Sequence, residues 1–269
     1  MKRAMTRAIP ALSVAAMLVL ALCADAATKP EVPTALQRLA QAYPEQIARV
    51  TDDAVVMKSG ATIPFGPGHE SEPYEQRLAH ASLADQMAMP YPMGANYPIP
   101  TGENDPGRLR NMAFFHAMYG ANENEVRRHL VPVRWLGRED LLITSVNGVD
   151  KALARVSAAL MRLPAARRAC AYPSAGTFAY RVVAGTNYLS GHSFGVAIDL
   201  NLACSDYWYW DQERGGNGTS TYKNRMPLEI VEAFEREGFI WGGKWAHYDT
   251  MHFEYRPELL LAPASSARR

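Results

Sequence analysis

The chain has 269 residues, with 28 Lys+Arg against 27 Asp+Glu and 48% hydrophobic residues. So even a charge balance gives no electrostatic footprint for nucleic acid and none for adhesion to an anionic surface. The length is enough for one substantial core with an appendage.

Residues 1–26 read as an export signal. Lys2, Arg3 and Arg7 form a basic start, Ile9 to Leu22 a mostly apolar run, and Ala24-Asp25-Ala26 a small-residue cleavage site before Ala27. The run is short for a membrane span, and no basic residues stand directly behind it. A lipid anchor on Cys23 would want a small residue before it, where Leu22 stands, so cleavage after Ala26 fits better. Losing the signal removes three basic residues and Asp25, and the chain stays close to neutral. The expectation is an exported protein of the periplasm or the extracellular wall. It has no stable membrane insertion after cleavage and no nucleic-acid partner, and nothing demands more than a monomer.

Residues 27–104 read as an amino-terminal arm. Thr34 to Ile47 carries an amphipathic pattern broken by Pro44, and Ala54 to Phe65 reads as a hairpin turning at Ser59-Gly60. A loop rich in Pro and Gly follows, then a second proline-rich stretch from Pro90 to Pro100. Asp105 to Arg110 opens a segment expected to run as a helix to Tyr119, ending at Gly120. Val131 to Trp135 and Leu141 to Thr144 read as short strands. Val149, Leu153, Val156 and Leu160 mark a helix with Pro164 just beyond it, its apolar stripe expected on the sheet that holds the site. Phe178 to Val183 reads as a strand. Pro227 starts and Gly238 stops a helix with Leu228, Val231 and Phe234 on its stripe, and Phe239 to Trp241 enters the last strands. Helices on one side of a mostly antiparallel sheet make an α+β fold. Cys170 and Cys204 remain as an even pair in an exported chain, which favours a disulfide over two buried thiols. Their wide separation matches no zinc–thiolate motif.

Two stretches carry chemistry. In Ser190-Gly-His192-Ser-Phe-Gly195-Val-Ala197-Ile-Asp199, a short β-branched strand surrounds an aspartate. An aspartate there is costly unless it is paired or holds a metal. In Asp249-Thr-Met-His252-Phe253-Glu254-Tyr255, strand alternation puts His252 and Glu254 on one face and Met251, Phe253 and Tyr255 on the other. Two histidines and one carboxylate from two strands leave a fourth tetrahedral position open, as in a catalytic zinc site.

The pattern Ser190, His192, Gly195, Ala197, Asp199, then Asp249, His252, Phe253 and Glu254, resembles the D-Ala-D-Ala carboxypeptidase and L-alanyl-D-glutamate endopeptidase family. These are zinc peptidases of bacterial cell-wall peptides, related in core to lysostaphin-type enzymes and the hedgehog amino-terminal domain. The resemblance is clear from about Phe178 to Pro257 and looser back to about Asp105. It implies a hedgehog/D-Ala-D-Ala-peptidase-like α+β domain over 105–262, with 263–269 as a flexible tail, and peptidoglycan peptides as substrate. It implies one Zn2+ held by His192, Asp199 and His252, and Asp249 as the general base acting on a zinc-activated water. Relatives often carry Glu at that position. Glu254 is the rival base, preferred as a partner that orients a ligand. Arg181 is the candidate for holding a substrate carboxylate or an oxyanion, against an ordinary surface arginine. Ser190 is assigned to local hydrogen bonding, and His247 to the cleft or to support of the ligands, not to the metal. Trimming of a terminal D-Ala is preferred over L-Ala–D-Glu or D,D-endopeptidase cleavage. A zinc-holding module without catalysis is the alternative of another class, and an intact Asp249 argues against it.

Overall fold

The structure is a computed structural model that describes residues 34–183, 186–213 and 221–261. The signal, its cleavage site, the start of the arm and the tail at 263–269 lie outside the described residues.

The chain from Thr34 begins with helix α1 (Thr34–Ala42), which buries Leu36 and Leu39 and stops before Pro44. Strands β1 (Ile47–Val50), β2 (Ala54–Met57) and β3 (Thr62–Pro64) then form a small antiparallel sheet in that order. The β2–β3 hairpin turns where the sequence places it, with Gly60 at φ 91°. Helices α2 (Tyr74–His80) and α3 (Leu83–Ala88) follow. Ser82 and Asp85 cap α3 reciprocally, each side chain taking an orphan N–H.

Helix α4 (Met112–Tyr119) starts later than expected, capped by Asn111 and closed by Gly120. The segment Asp105–Arg110 is not helical. Gly107 has φ 97°, and the Asp105 side chain is taken by Tyr74 and His247, partners remote in sequence. After α5 (Glu123–Arg127), strands β4 (Leu130–Trp135) and β5 (Glu139–Thr144) pair antiparallel. Helix α6 (Val149–Met161) buries Val149, Leu153, Val156 and Leu160. It packs chiefly on β4, on β5 and on the helix Leu228–Glu235, not on the sheet that carries the expected ligands. Helix α7 (Ala165–Arg168) is short.

The third sheet positions the site. Strand β6 (Ala197–Asp199), helices α8 (Trp208–Glu213) and α9 (Leu228–Glu235), then β7 (Phe239–Trp241), β8 (His252–Tyr255) and α10 (Pro257–Leu260) complete the described chain. The strand order is β6-β8-β7, antiparallel throughout, with Asp199 facing His252 across the ladder. The expected strand at Phe178–Val183 is absent. Within it only Val182 makes an isolated bridge, with Leu189, while Gly176 just before it bridges Asp199 without extending the sheet. The class is mixed α and β with small antiparallel sheets, three among the described residues, where one larger sheet had been expected.

Cys170 and Cys204 are joined by a disulfide. They meet not through two paired strands but through two short turns, Ala169–Ala171 and Leu202–Cys204, held together where the Asn201 N–H donates to the Cys170 carbonyl. The amino-terminal elements share the main core. Leu36, Leu39, Val55 and Leu83 cluster with Trp135, Phe234, Phe253 and Ile240. Tyr43 donates to Glu258 across 215 residues of sequence, and Gln86 donates to the same carboxylate.

Candidate metal centre

His192, Asp199 and His252 converge. The contacts are 3.1 Å from His192 Nε2 to Asp199 Oδ1, 3.0 Å from His252 Nδ1 to the same oxygen, and 3.2 Å between the two nitrogens. Each imidazole is oriented from behind. His192 Nδ1–H donates to the Thr177 carbonyl, which leaves Nε2 as the lone pair facing the cluster. His252 Nε2–H donates to Glu254 Oε2 at 3.3 Å, which leaves Nδ1 facing it. Two lone pairs 3.2 Å apart repel unless a proton or a cation lies between them. Zinc bonds of about 2.0–2.1 Å at tetrahedral angles place ligand atoms roughly 3.3 Å apart. The observed triangle of 3.0–3.2 Å therefore fits one face of a tetrahedral zinc. A histidine gripped by a carboxylate is the usual support of a metal ligand.

Local sequence explains the convergence. Ser190 caps the turn Gly191–Phe194, its Oγ accepting from the His192 N–H at 3.3 Å. Gly195 ends that turn at φ 65°, where a Cβ would stand 2.7 Å from a Leu130 methyl. Gly191 lies against Glu254, so that any Cβ there would come 2.5 Å from Oε2. The spacing between His192 and Asp199 thus encodes a tight turn followed at once by a strand.

Glu254 is fully buried and bound by Arg110 at 2.8 Å and Arg256 at 3.2 Å, so its carboxylate is committed to holding His252. Burial would raise its pKa, but Arg110, His252 and Arg256 outweigh that and hold it well below the usual range. Asp199 is likewise held far down, burial being outweighed by the two imidazoles. In the metal-free protein burial lowers the His252 pKa, while the hydrogen bonds to Asp199 and Glu254 more than compensate and lift it to about 9.

The cluster lies in a cleft of about 340 Å³ that also takes in Asp249, Arg108 and Arg181. Asp249 reaches it from the turn before β8, with its backbone N–H bonded to the Gly242 carbonyl. Its Oδ1 is buried with no hydrogen-bond partner, and burial, helped by the charge of Asp199, pushes its carboxyl up to about 6. A partnerless carboxylate oxygen beside a cation site is poised to take a proton from a bound water. Arg181 lines the cleft as an exposed side chain. Ser190 lines it too, but the turn occupies its hydroxyl. His247 is held away from the cluster by Asp105, 2.6 Å from Nδ1, and stacks on Tyr74.

Sequence reasoning missed Arg108, Arg110, Tyr207 and Trp210, all on the cleft wall. Arg108 stacks over Trp245 at 4.9 Å and leaves its Nε buried without a partner. The signal was there in Arg108-Leu109-Arg110. An extended reading puts both arginines on one side and Leu109 in the core on the other, where it is 1% exposed.

Residues 184–255 match the family model described as D-alanyl-D-alanine carboxypeptidase. That segment, just over a quarter of the chain, carries the whole cluster and Asp249 and is similar to this family of peptidases. Over 72 residues the chain is also 40% identical to the peptidoglycan L-alanyl-D-glutamate endopeptidase CwlK of Bacillus subtilis (strain 168). The alignment covers 25% of this chain and 40% of the relative, so the chain spans about two fifths of the relative's length. No solved structure matches the chain significantly. Arg181, Arg108, Arg110 and Cys170 fall outside the matched segment.

Proposed function

We propose that this protein is an exported zinc peptidase of the hedgehog/D-Ala-D-Ala-peptidase fold that hydrolyses peptidoglycan stem peptides, removing a terminal D-Ala. The observation that carries the reading is one cleft holding the His192–Asp199–His252 triangle, the unpartnered Asp249 oxygen and three arginines, of which Arg110 is committed to Glu254. Zinc held there supplies a Lewis acid and an acidified water. Asp249 Oδ1 takes the proton of the attacking water and returns it to the leaving amine. Arg108 and Arg181 face the substrate as cations, suited to the carboxylate of a terminal D-Ala or to the developing oxyanion. Glu254 keeps the His252 ring in register and takes no part in proton transfer, because two arginines and the ring occupy it. The identity to a relative described as an L-alanyl-D-glutamate endopeptidase favours a second reading, cleavage between L-Ala and D-Glu by the same residues.

The two readings separate on synthetic stem peptides. Release of free D-Ala from a peptide ending in D-Ala-D-Ala supports the first. Release of L-Ala from the other end, with the terminus intact, replaces it by the second. Zinc uptake with neither cleavage points to a binding module and overturns both.

A further inference from the structure

A second group of metal-ligating side chains lies on the amino-terminal segment, apart from the cleft. One donor atom from each of His69, Glu72 and His80 lies within 4.8 Å of the other two. His80, the last residue of α2, places its Nε2 2.8 Å from Glu72 Oε2. His69 precedes α2 in a turn closed by the Glu72 N–H on the His69 carbonyl, and its ring centroid is 5.1 Å from that of His80.

What distinguishes this group from a surface ion pair is the support behind His69. Asp85, 1% exposed, accepts from the His69 backbone N–H at 2.7 Å and from its Nδ1 at 2.5 Å. The same carboxylate accepts from Ser82, so its position is fixed by the start of α3. With Nδ1 bound to a buried carboxylate, Nε2 is the atom left for a ligand. Glu254 does the same for His252 in the cleft. Two imidazoles and one carboxylate, with an open side toward water, are donors for a borderline divalent cation and leave room for a water ligand.

We propose that His69, Glu72 and His80 form a second zinc-class site, structural in role, with Asp85 as its orienting carboxylate. The ion clamps the 66–72 loop to the end of α2. That helix carries Tyr74, which donates to Asp105 and stacks on His247, and Leu78, which packs with Leu109, the residue between Arg108 and Arg110. The site therefore braces the wall that presents Arg108 and Arg110. It shares no ligand with the cleft and stands whether or not the proposed activity does.

The test is zinc content, measured by mass spectrometry after equilibration with micromolar free zinc, in four full-length proteins. These are the native chain, His252→Ala, the pair Glu72→Gln with His80→Ala, and all three changes together. The expected contents are two, one, one and none. His80 and Glu72 are 50% and 34% exposed as side chains, so their replacement leaves the fold intact, which circular dichroism checks. Zinc should also raise the melting temperature of His252→Ala, and this rise should vanish when Glu72 and His80 are replaced. Zinc content unchanged by the Glu72/His80 pair in both backgrounds overturns the second site. Content unchanged by His252→Ala, with the pair still costing one ion, instead overturns the cleft reading alone.

Discussion

Asp249 and His252 share one turn and one strand but carry opposite perturbations, and both follow from what surrounds them. Burial beside Asp199 raises Asp249 to about 6, while Asp199 and Glu254 outweigh burial and raise His252 to about 9 in the metal-free protein. A zinc ion bound as proposed would displace the proton that His252 holds, so zinc affinity should fall as pH drops below about 9, measurable by competition with a chromophoric chelator. Activity should be lost as Asp249 becomes protonated. Because the zinc charge favours the carboxylate, that acid limb should lie below about 6 in the loaded enzyme. Asp249→Asn should retain the metal and lower kcat by about 10²–10⁴-fold, the usual range for a general base. A variant that keeps its rate would move proton transfer elsewhere. At this scale the sequence was most informative. The side chains His192, Asp199 and His252 that come together, Gly195 and the alternation around His252 were all legible, because each depends on residues within one turn or one strand. Arg108 was not, because its place in the cleft depends on Trp245 and His247, more than a hundred residues away.

Local chemistry decided whether an element could be read in advance. Helix α9 was legible from Pro227, Gly238 and its stripe, and the β2–β3 hairpin from Ser59-Gly60. Asp105–Arg110 misled because its acid serves Tyr74 and His247 rather than capping a helix. Phe178–Val183 has strand composition but finds only one bridge, Val182 with Leu189. The proline-rich stretch gave no element, yet it is tied down by one buried side chain. Lys244, fully buried, donates to the carbonyls of Pro92 at 2.6 Å and Gly94 at 2.8 Å and to Glu235 at 2.6 Å, under Tyr91 and Tyr97. Replacing Lys244 by Ala leaves Glu235 buried without its cation, and a loss of about 3–5 kcal/mol is expected in denaturant unfolding. A loss below about 1 kcal/mol would mean that the loop is held by its aromatic contacts instead. The Cys170–Cys204 bridge closes a loop over the approach to β6, and its removal should cost about 2–5 kcal/mol by the same measurement.

Across the whole molecule, the amino-terminal elements and the site sheet are one folding unit. Glu258 receives Tyr43 and Gln86 from one end of the chain and Arg256 from the other, and Arg256 in turn holds Glu254 behind His252. The geometry of the His192–Asp199–His252 cluster therefore rests on contacts made by Tyr43, just after α1, and by α3, both far outside the segment matched by the family model. Deleting residues 27–104 should abolish cooperative unfolding as well as zinc binding, and a folded, zinc-loaded remainder would contradict that dependence.

His192, Asp199, His252 and Asp249 are proposed to act together as a metal-dependent peptidase of the cell wall. The most direct measurement is a mass-resolved digest of purified muropeptides by the mature protein, with and without chelator and with Asp249→Ala beside it. The expected result is chelator-sensitive loss of one alanine per stem peptide, restored by zinc and absent in the variant. Muropeptides left whole by a protein that carries zinc in the cleft would contradict it.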